Sequence, residues 1–347
     1  MRPAECLTNL ELKDGWNVVS IVKSPPRSTG GHFSVGYLVK NNDGKIAYLK
    51  ALDFSGAFQA PDPARALQSM TEAYNFERDL LTRCKTRKLD RVVTPIADGT
   101  VTVPGPFGPL GAVCYLIFEH AKGDIRNEIA GLAEFDLAWC LRSLHQTAVG
   151  LKQLHSTGIA HQDLKPSNVL VFSESGAKIA DLGRASDSNL KSPVDDILIP
   201  GDVGYAPPEQ FYPSPDGRDF YDRCLSDLYL LGSLFFFYFS GCSATQAIQA
   251  KITGFKGMNF TNTNFKNDLP YIRQAFMESL EDLKTQIIPF ARQFTDDIIQ
   301  LIRELCEPDP NLRGDCRSYT SSILHHDLER YISRLDLLAR KAEMKIS

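Results

Sequence analysis

Over the first 120 residues the apolar positions fall in short, near-alternating runs. WNVVSIV (16–22), HFSVGYLV (32–39) and KIAYLKAL (45–52) read as three strands, the first two paired. TVTV (100–103) and AVCYLIFE (112–119) flank PGPFGPLG, which predicts a hairpin. One stretch breaks the pattern. ARALQSMTEAYNFERDLLTRC (64–84) follows Pro-Asp-Pro and contains no Gly or Pro, so it predicts a helix. Beyond residue 124 the period becomes helical. LAWCLRSLHQTAVGLKQLHSTG places Leu141, Leu144, Ala148 and Leu151 on one face and stops at Gly158. Short strands are expected at 168–172 and 177–180, a polar segment over 184–203, and helices from there on. SSILHHDLERYISRLDLLARK aligns Leu324, Leu328, Ile332 and Leu335 in a stripe. That stripe is expected to pack on the body, the alternative being a partner-binding helix.

The class is therefore α+β and bilobal. A β-rich part with one main helix comes first, then a helical part. The expected divisions are 1–15, an N-terminal extension; 16–121 and 122–319, the two lobes; and 320–347, a C-terminal helical extension.

Composition adds exclusions more than assignments. Of the 347 residues 43% are apolar and 23% charged, and the formal net charge is −4. No global field points to nucleic acid or an anionic membrane. Eight cysteines lie scattered with no CxxC pair, which predicts free thiols in a reducing cytoplasm. The N-terminus has no apolar core of a signal peptide. LYLLGSLFFFYF (228–239) is shorter than the roughly 20 residues of a spanning helix, so a buried core helix is expected.

The chemistry is densest in HQDLKPSNVLVF (161–172). A hydroxyl is a weak nucleophile, and a carboxylate set against it orients it and accepts its proton, a role that suits Asp163. Lys165 is placed to neutralise a transferring phosphoryl group. Asn168 offers a carbonyl oxygen to a hard cation such as Mg²⁺. AKIADLG then presents Asp181 at the end of an apolar strand, where a lone carboxylate suits a metal bridging phosphate oxygens. Upstream, Lys50 lies among apolar strand residues and needs a partner. Glu77 is the first candidate and Glu72 the alternative.

These residues resemble the protein kinase family, from about Trp16 to Arg313. HQDLKPSN matches the catalytic loop, DLG the magnesium-binding motif, and AYLK the strand-3 lysine. GDVGYAPPE (201–209) matches the end of an activation segment, with Glu209 in the conserved-motif position. Asp227 in SDLYLLG matches the aspartate that holds the catalytic-loop backbone, and Arg313 in PDPNLRG the arginine that pairs with that glutamate. The resemblance implies ATP and Mg²⁺ as cofactors and a protein substrate. Asp163 would be the catalytic base and Lys165 the γ-phosphate contact, marking Ser/Thr specificity. Asn168 and Asp181 would hold Mg²⁺, and Lys50, held by Glu77, would grip the α/β-phosphates. Glu119 and Ala121 would form the hinge, Phe118 the gatekeeper and Leu170 the floor of the adenine site. His161, Leu182 and Leu81 would join a packed column.

Four departures stand out. The glycine-loop register puts Thr29, Gly31 and Ser34 at the glycine positions and Gly36 where the family has Val. Tyr48 replaces the usual Ala two residues before Lys50, and a large residue opposite a small one conserves volume. Tyr48 is thus expected to fill the space over Gly36 and roof the nucleotide. Gln162 replaces the arginine that reads an activation-segment phosphate, so activity is expected not to require a phosphate at Ser186, Ser188 or Ser192. Asp202 stands where a Thr usually bridges Asp163 and Lys165, and is expected to pair with Lys165.

The leading function is a Ser/Thr protein kinase. The alternatives are a pseudokinase scaffold, which the weak glycine loop and Tyr48 favour, and a small-molecule phosphotransferase. GYAPPEQ, Asp227 and Arg313 disfavour the second. A regulatory partner would dock on 243–296 or on the C-terminal helix.

Overall fold

The computed structural model describes residues 2–22, 34–214, 217–252, 264–315 and 327–346. They form two compact units, one of residues 1–88 and 93–122, the other of 89–92 and 123–347.

The first unit is built on five antiparallel strands: β1 (Asn17–Ile21), β2 (Ser34–Lys40), β3 (Ile46–Leu52), β4 (Pro95–Thr102) and β5 (Ala112–Glu119), in the order β1-β2-β3-β5-β4. β4 begins five residues before the expected TVTV, because Pro95, barred from donating, sits at its first position. The single long helix α1 (Pro63–Thr86) starts where Asp62 accepts from the Arg65 N–H and Pro63 needs no donor.

Strand alternation gives the sheet two different faces. Tyr37, Val39, Ala47, Leu49, Ala51, Tyr115 and Ile117 form one, and all are buried. What covers them is residues 2–16: Ala4, Leu7, Leu12 and Trp16 join the same core. The Tyr37 hydroxyl donates to the Ala4 carbonyl at 2.8 Å and accepts from the Leu7 N–H at 3.3 Å. Arg2 pairs with buried Asp53 at 2.8 Å. Residues expected to be a mere extension are therefore part of this unit's core.

The second unit is mainly helical, as expected of an α+β chain. Its elements are β6 (Gly123–Asp124), α2 (Ile125–Gly131), α3 (Leu137–Ser156), β7 (Ile159–Ala160), β8 (Val169–Phe172), β9 (Gly176–Ile179), β10 (Ser186–Asp187), α4 (Phe220–Ser240), α5 (Ala244–Ile252), α6 (Phe265–Ala291), α7 (Thr295–Leu305) and α8 (Glu329–Ile346). α4 carries the apolar run and is buried on nearly every side, consistent with a core helix. No single helix among the described residues is long and apolar enough to cross a membrane.

α8 packs along α3. Its buried stripe is Tyr331, Leu335, Leu338 and Ala342, continued by Leu328 just before the helix. Ile332, expected on that stripe, is only half-buried, because Tyr331 takes the core-facing position beside it. Leu324 lies outside the described residues. Arg142 of α3 fixes the register by pairing with Asp336 and Glu343, both at 2.8 Å. In the 243–296 region, Ile272, Phe276, Leu280 and Leu283 of α6 are buried in this unit, while 253–263 lies outside the described residues. The seven described cysteines are all unpaired, and burial pushes the Cys84 thiol up to about 12, leaving it inert.

Candidate active site

In the first unit Lys50 projects from β3, and its ammonium reaches Glu77 of α1 at 2.8 and 3.2 Å. Glu77 is buried, so the pair satisfies both charges. The alternative, Glu72, instead accepts from Gln68 on the exposed side of α1.

Register places Gly36 opposite Lys50, and Tyr48 opposite both Leu38 and Phe118. Gly36, Tyr48, Lys50 and Phe118 therefore share one face of the sheet. A Cβ at Gly36 would lie 2.6 Å from the Tyr48 hydroxyl and 2.9 Å from its ring. The tyrosine occupies the space that a side chain at position 36 would need. Gly36→Val is expected to destabilise this unit by about 1–3 kcal/mol through overpacking, and adding Tyr48→Ala is expected to recover most of the loss. Thermal unfolding followed by Trp16 fluorescence, in a Trp139→Phe background, measures both. Equal destabilisation with and without Tyr48→Ala would refute the packing argument. Ser34 opens β2 opposite Leu52, Glu119 ends β5 opposite Ala47, and Ala121 is half-buried just beyond. Gly31 lies outside the described residues.

In the second unit the loop from His161 to Asn168 is held from beneath by one carboxylate. Asp227, fully buried in α4, accepts from the backbone N–H of His161 at 2.7 Å and of Gln162 at 2.8 Å, and contacts His155 Nε2 at 2.8 Å. Those contacts fix Gln162 at φ +66°, a conformation costly for a residue with a side chain. His161 is a packed connector. Its Nδ1 accepts from the Asp163 N–H at 3.2 Å, so Nε2 carries the proton and donates to the Ala180 carbonyl at 3.1 Å.

Asp163 is the centre of the cluster. Its Oδ1 accepts from the Asp202 N–H at 2.8 Å. Its Oδ2 meets Lys165 Nζ and Asn168 Nδ2, each at 3.1 Å. Burial pushes the Asp163 carboxyl above its ordinary value; Lys165 pulls it down, and Asp181 raises it again. A carboxylate so raised is a stronger base. Lys165 also lies 3.5 Å from Asp202, so the expected Asp202 contact is present alongside the one to Asp163. The approach is tight because residue 201 is glycine: a Cβ there would sit 2.4 Å from the Gln162 carbonyl.

Asn168 Nδ2 is committed to the Asp163 carbonyl at 2.8 Å as well, which leaves the amide oxygen as the available ligand atom. Asp181 is exposed just past β9 at φ +64°. Two oxygen donors fit Mg²⁺, which keeps waters and takes further ligands from phosphate. Among the described residues no cluster of three His, Cys, Asp or Glu suits a transition metal. Leu170 is half-buried on β8 opposite Lys178.

Behind the loop, Arg313 is wholly buried. Its Nη1 and Nη2 donate to the two oxygens of Glu209 at 2.7 and 2.8 Å, and its remaining donors reach the Leu225, Glu307 and Pro308 carbonyls. Two further residues were not legible as functional from the sequence. Arg223 of α4 and Asp195 of the 184–203 segment form an ion pair, and the Arg223 carbonyl accepts from Gln162 Nε2 at 3.0 Å. Nothing in their local spacing distinguishes them from surface charges.

The protein kinase domain family matches residues 30–328. Among curated relatives, the Aurora kinase of Debaryomyces hansenii is 31% identical over 96 residues, 27% of this chain and 23% of that protein. The CBL-interacting protein kinase 26 of Oryza sativa subsp. japonica is 24% identical over 201 residues, 57% of this chain and 34% of that protein. A probable serine/threonine-protein kinase of Clostridium perfringens is 26% identical over 217 residues, 59% of this chain and 29% of that protein. The matches thus span about a third or less of those relatives' lengths.

Proposed function

This chain belongs to the protein kinase family, and from that premise we propose that it transfers the γ-phosphate of ATP to serine and threonine hydroxyls of a protein. The observation that carries the reading is the Asp163 cluster: a raised carboxylate, a lysine 3.1 Å away, and an asparagine whose amide nitrogen is committed inward. Asp163 orients the incoming hydroxyl and takes its proton. Lys165 offsets charge on the phosphoryl oxygens, and its position in the loop supports Ser/Thr rather than Tyr acceptors. Asn168 and Asp181 would hold Mg²⁺, which would supply charge neutralisation at the phosphates. Lys50, fixed by Glu77, is proposed for the α/β-phosphates, and Tyr48, Phe118, Glu119, Ala121 and Leu170 for the adenine. The unpaired cysteines support a reducing, cytoplasmic setting.

The test is γ-phosphate transfer to a generic basic protein by wild type, Asp163→Asn and Asp181→Asn, with nucleotide binding measured with and without Mg²⁺. Wild-type transfer that both substitutions abolish supports the enzyme. Asp181→Asn is expected to lose the Mg²⁺-dependent part of nucleotide affinity. One observation favours a second reading, a pseudokinase scaffold: the Tyr48 ring fills the face that Gly36 leaves open. No nucleotide binding in wild type, restored by Tyr48→Ala, would decide for the scaffold.

A further inference from the structure

The 184–203 segment contains three hydroxyl side chains, Ser186, Ser188 and Ser192. Two of them are buried and engaged. Ser186 accepts from Arg223 Nη1 and donates to Asp195 Oδ1 at 3.2 Å. Ser192 Oγ donates to the Ala185 carbonyl at 2.8 Å, and its N–H donates to Asp195 Oδ2 at 2.8 Å. A phosphate on either would press a dianion against Asp195. Ser188 alone is exposed.

The negative charge at the heart of this segment is therefore Asp195 itself. It pairs with Arg223 Nη1, and the two side chains are only 16% and 10% exposed. Arg223 ties together several parts of the second unit. Its Nε donates to the Arg218 carbonyl at 3.1 Å, and its own carbonyl accepts from Gln162 of the catalytic loop. Through Ser186 it reaches β10, which pairs with β7, and β7 runs directly into His161. Gln162 thus does not leave a vacant phosphate reader. Its amide anchors the loop to the helix that carries the arginine.

We propose that Asp195 and Arg223 form a built-in brace, a carboxylate–guanidinium pair that orders the 184–203 segment beside the catalytic loop without any phosphate. Both are positioning residues. The catalytic consequence rests on the kinase reading, whereas the ordering of the segment does not.

Truncating one partner of a largely buried ion pair leaves the other charge uncompensated. In phosphatase-treated protein, Asp195→Asn keeps the shape but removes the charge. Limited trypsin cleavage after Arg184 and Lys191, read by mass spectrometry, is expected to accelerate about 10–100-fold, since cleavage tracks the open population. kcat for transfer is expected to fall in step, with the KM for ATP unchanged, and Asp195→Glu is expected to restore both. Protection and turnover in Asp195→Asn equal to wild type would overturn the brace. So would wild-type activity that disappears with phosphatase treatment. Should wild type transfer no phosphate at all, the kinase reading fails and the cleavage rates alone decide the brace.

Discussion

Replacing Asp163 by asparagine is expected to lower phosphoryl transfer about 10²–10⁴-fold, the range of a lost general base. Nucleotide affinity is expected to stay near wild type. The geometry separates chemistry from structure here. An amide oxygen at position 163 still accepts the Asp202 N–H, now made at 2.8 Å, so the loop keeps its contact with the following segment. What disappears is the proton acceptor and the negative charge 3.1 Å from Lys165. Initial rates with saturating ATP, beside calorimetric nucleotide titration, distinguish a chemical loss from a folding one. A variant that transfers at the wild-type rate would remove Asp163 from the mechanism.

The largest stability effect is expected at Glu209. Arg313 has no exposed surface and is completed by Glu209 on one side and three carbonyls on the other. Glu209→Ala strands a buried guanidinium, at a cost of about 3–5 kcal/mol. In a Trp16→Phe background, fluorescence of Trp139 in α3 follows the second unit, and the urea midpoint should fall sharply. Replacing both partners by apolar residues, Glu209→Leu with Arg313→Met, is expected to recover much of the loss, because no charge then remains to be solvated. An unchanged midpoint in Glu209→Ala would show that the pair contributes nothing.

Much of the candidate site was legible in one stretch of chain. Asp163, Lys165 and Asn168 lie within six positions, so a short loop brings them together whatever surrounds it, and the structure places them around a single carboxylate. Lys50 in an apolar strand announced its need for a partner, and the following helix offered Glu77 first and Glu72 as the alternative; Glu77 is the one that meets it. Residues 2–16 were not legible. Their apolar positions are too few and irregular to declare a period, and their value comes only from the sheet face they cover. Ile332 was misplaced for a related reason: with Tyr331 beside it, a helical wheel drawn from leucines alone cannot tell which neighbour turns inward.

The sequence by itself determined the class of elements, their order and the candidate residues of the His161–Asn168 loop, because periodicity and close-set motifs are local properties. Tertiary structure alone decided that residues 2–16 cover the sheet, that Arg142 pairs with Asp336 and Glu343, and that Asp195 and Arg223 meet. Each of those joins residues far apart in the chain. Its energy depends on how completely the folded protein excludes water from both partners, and that is a quantity no local pattern carries.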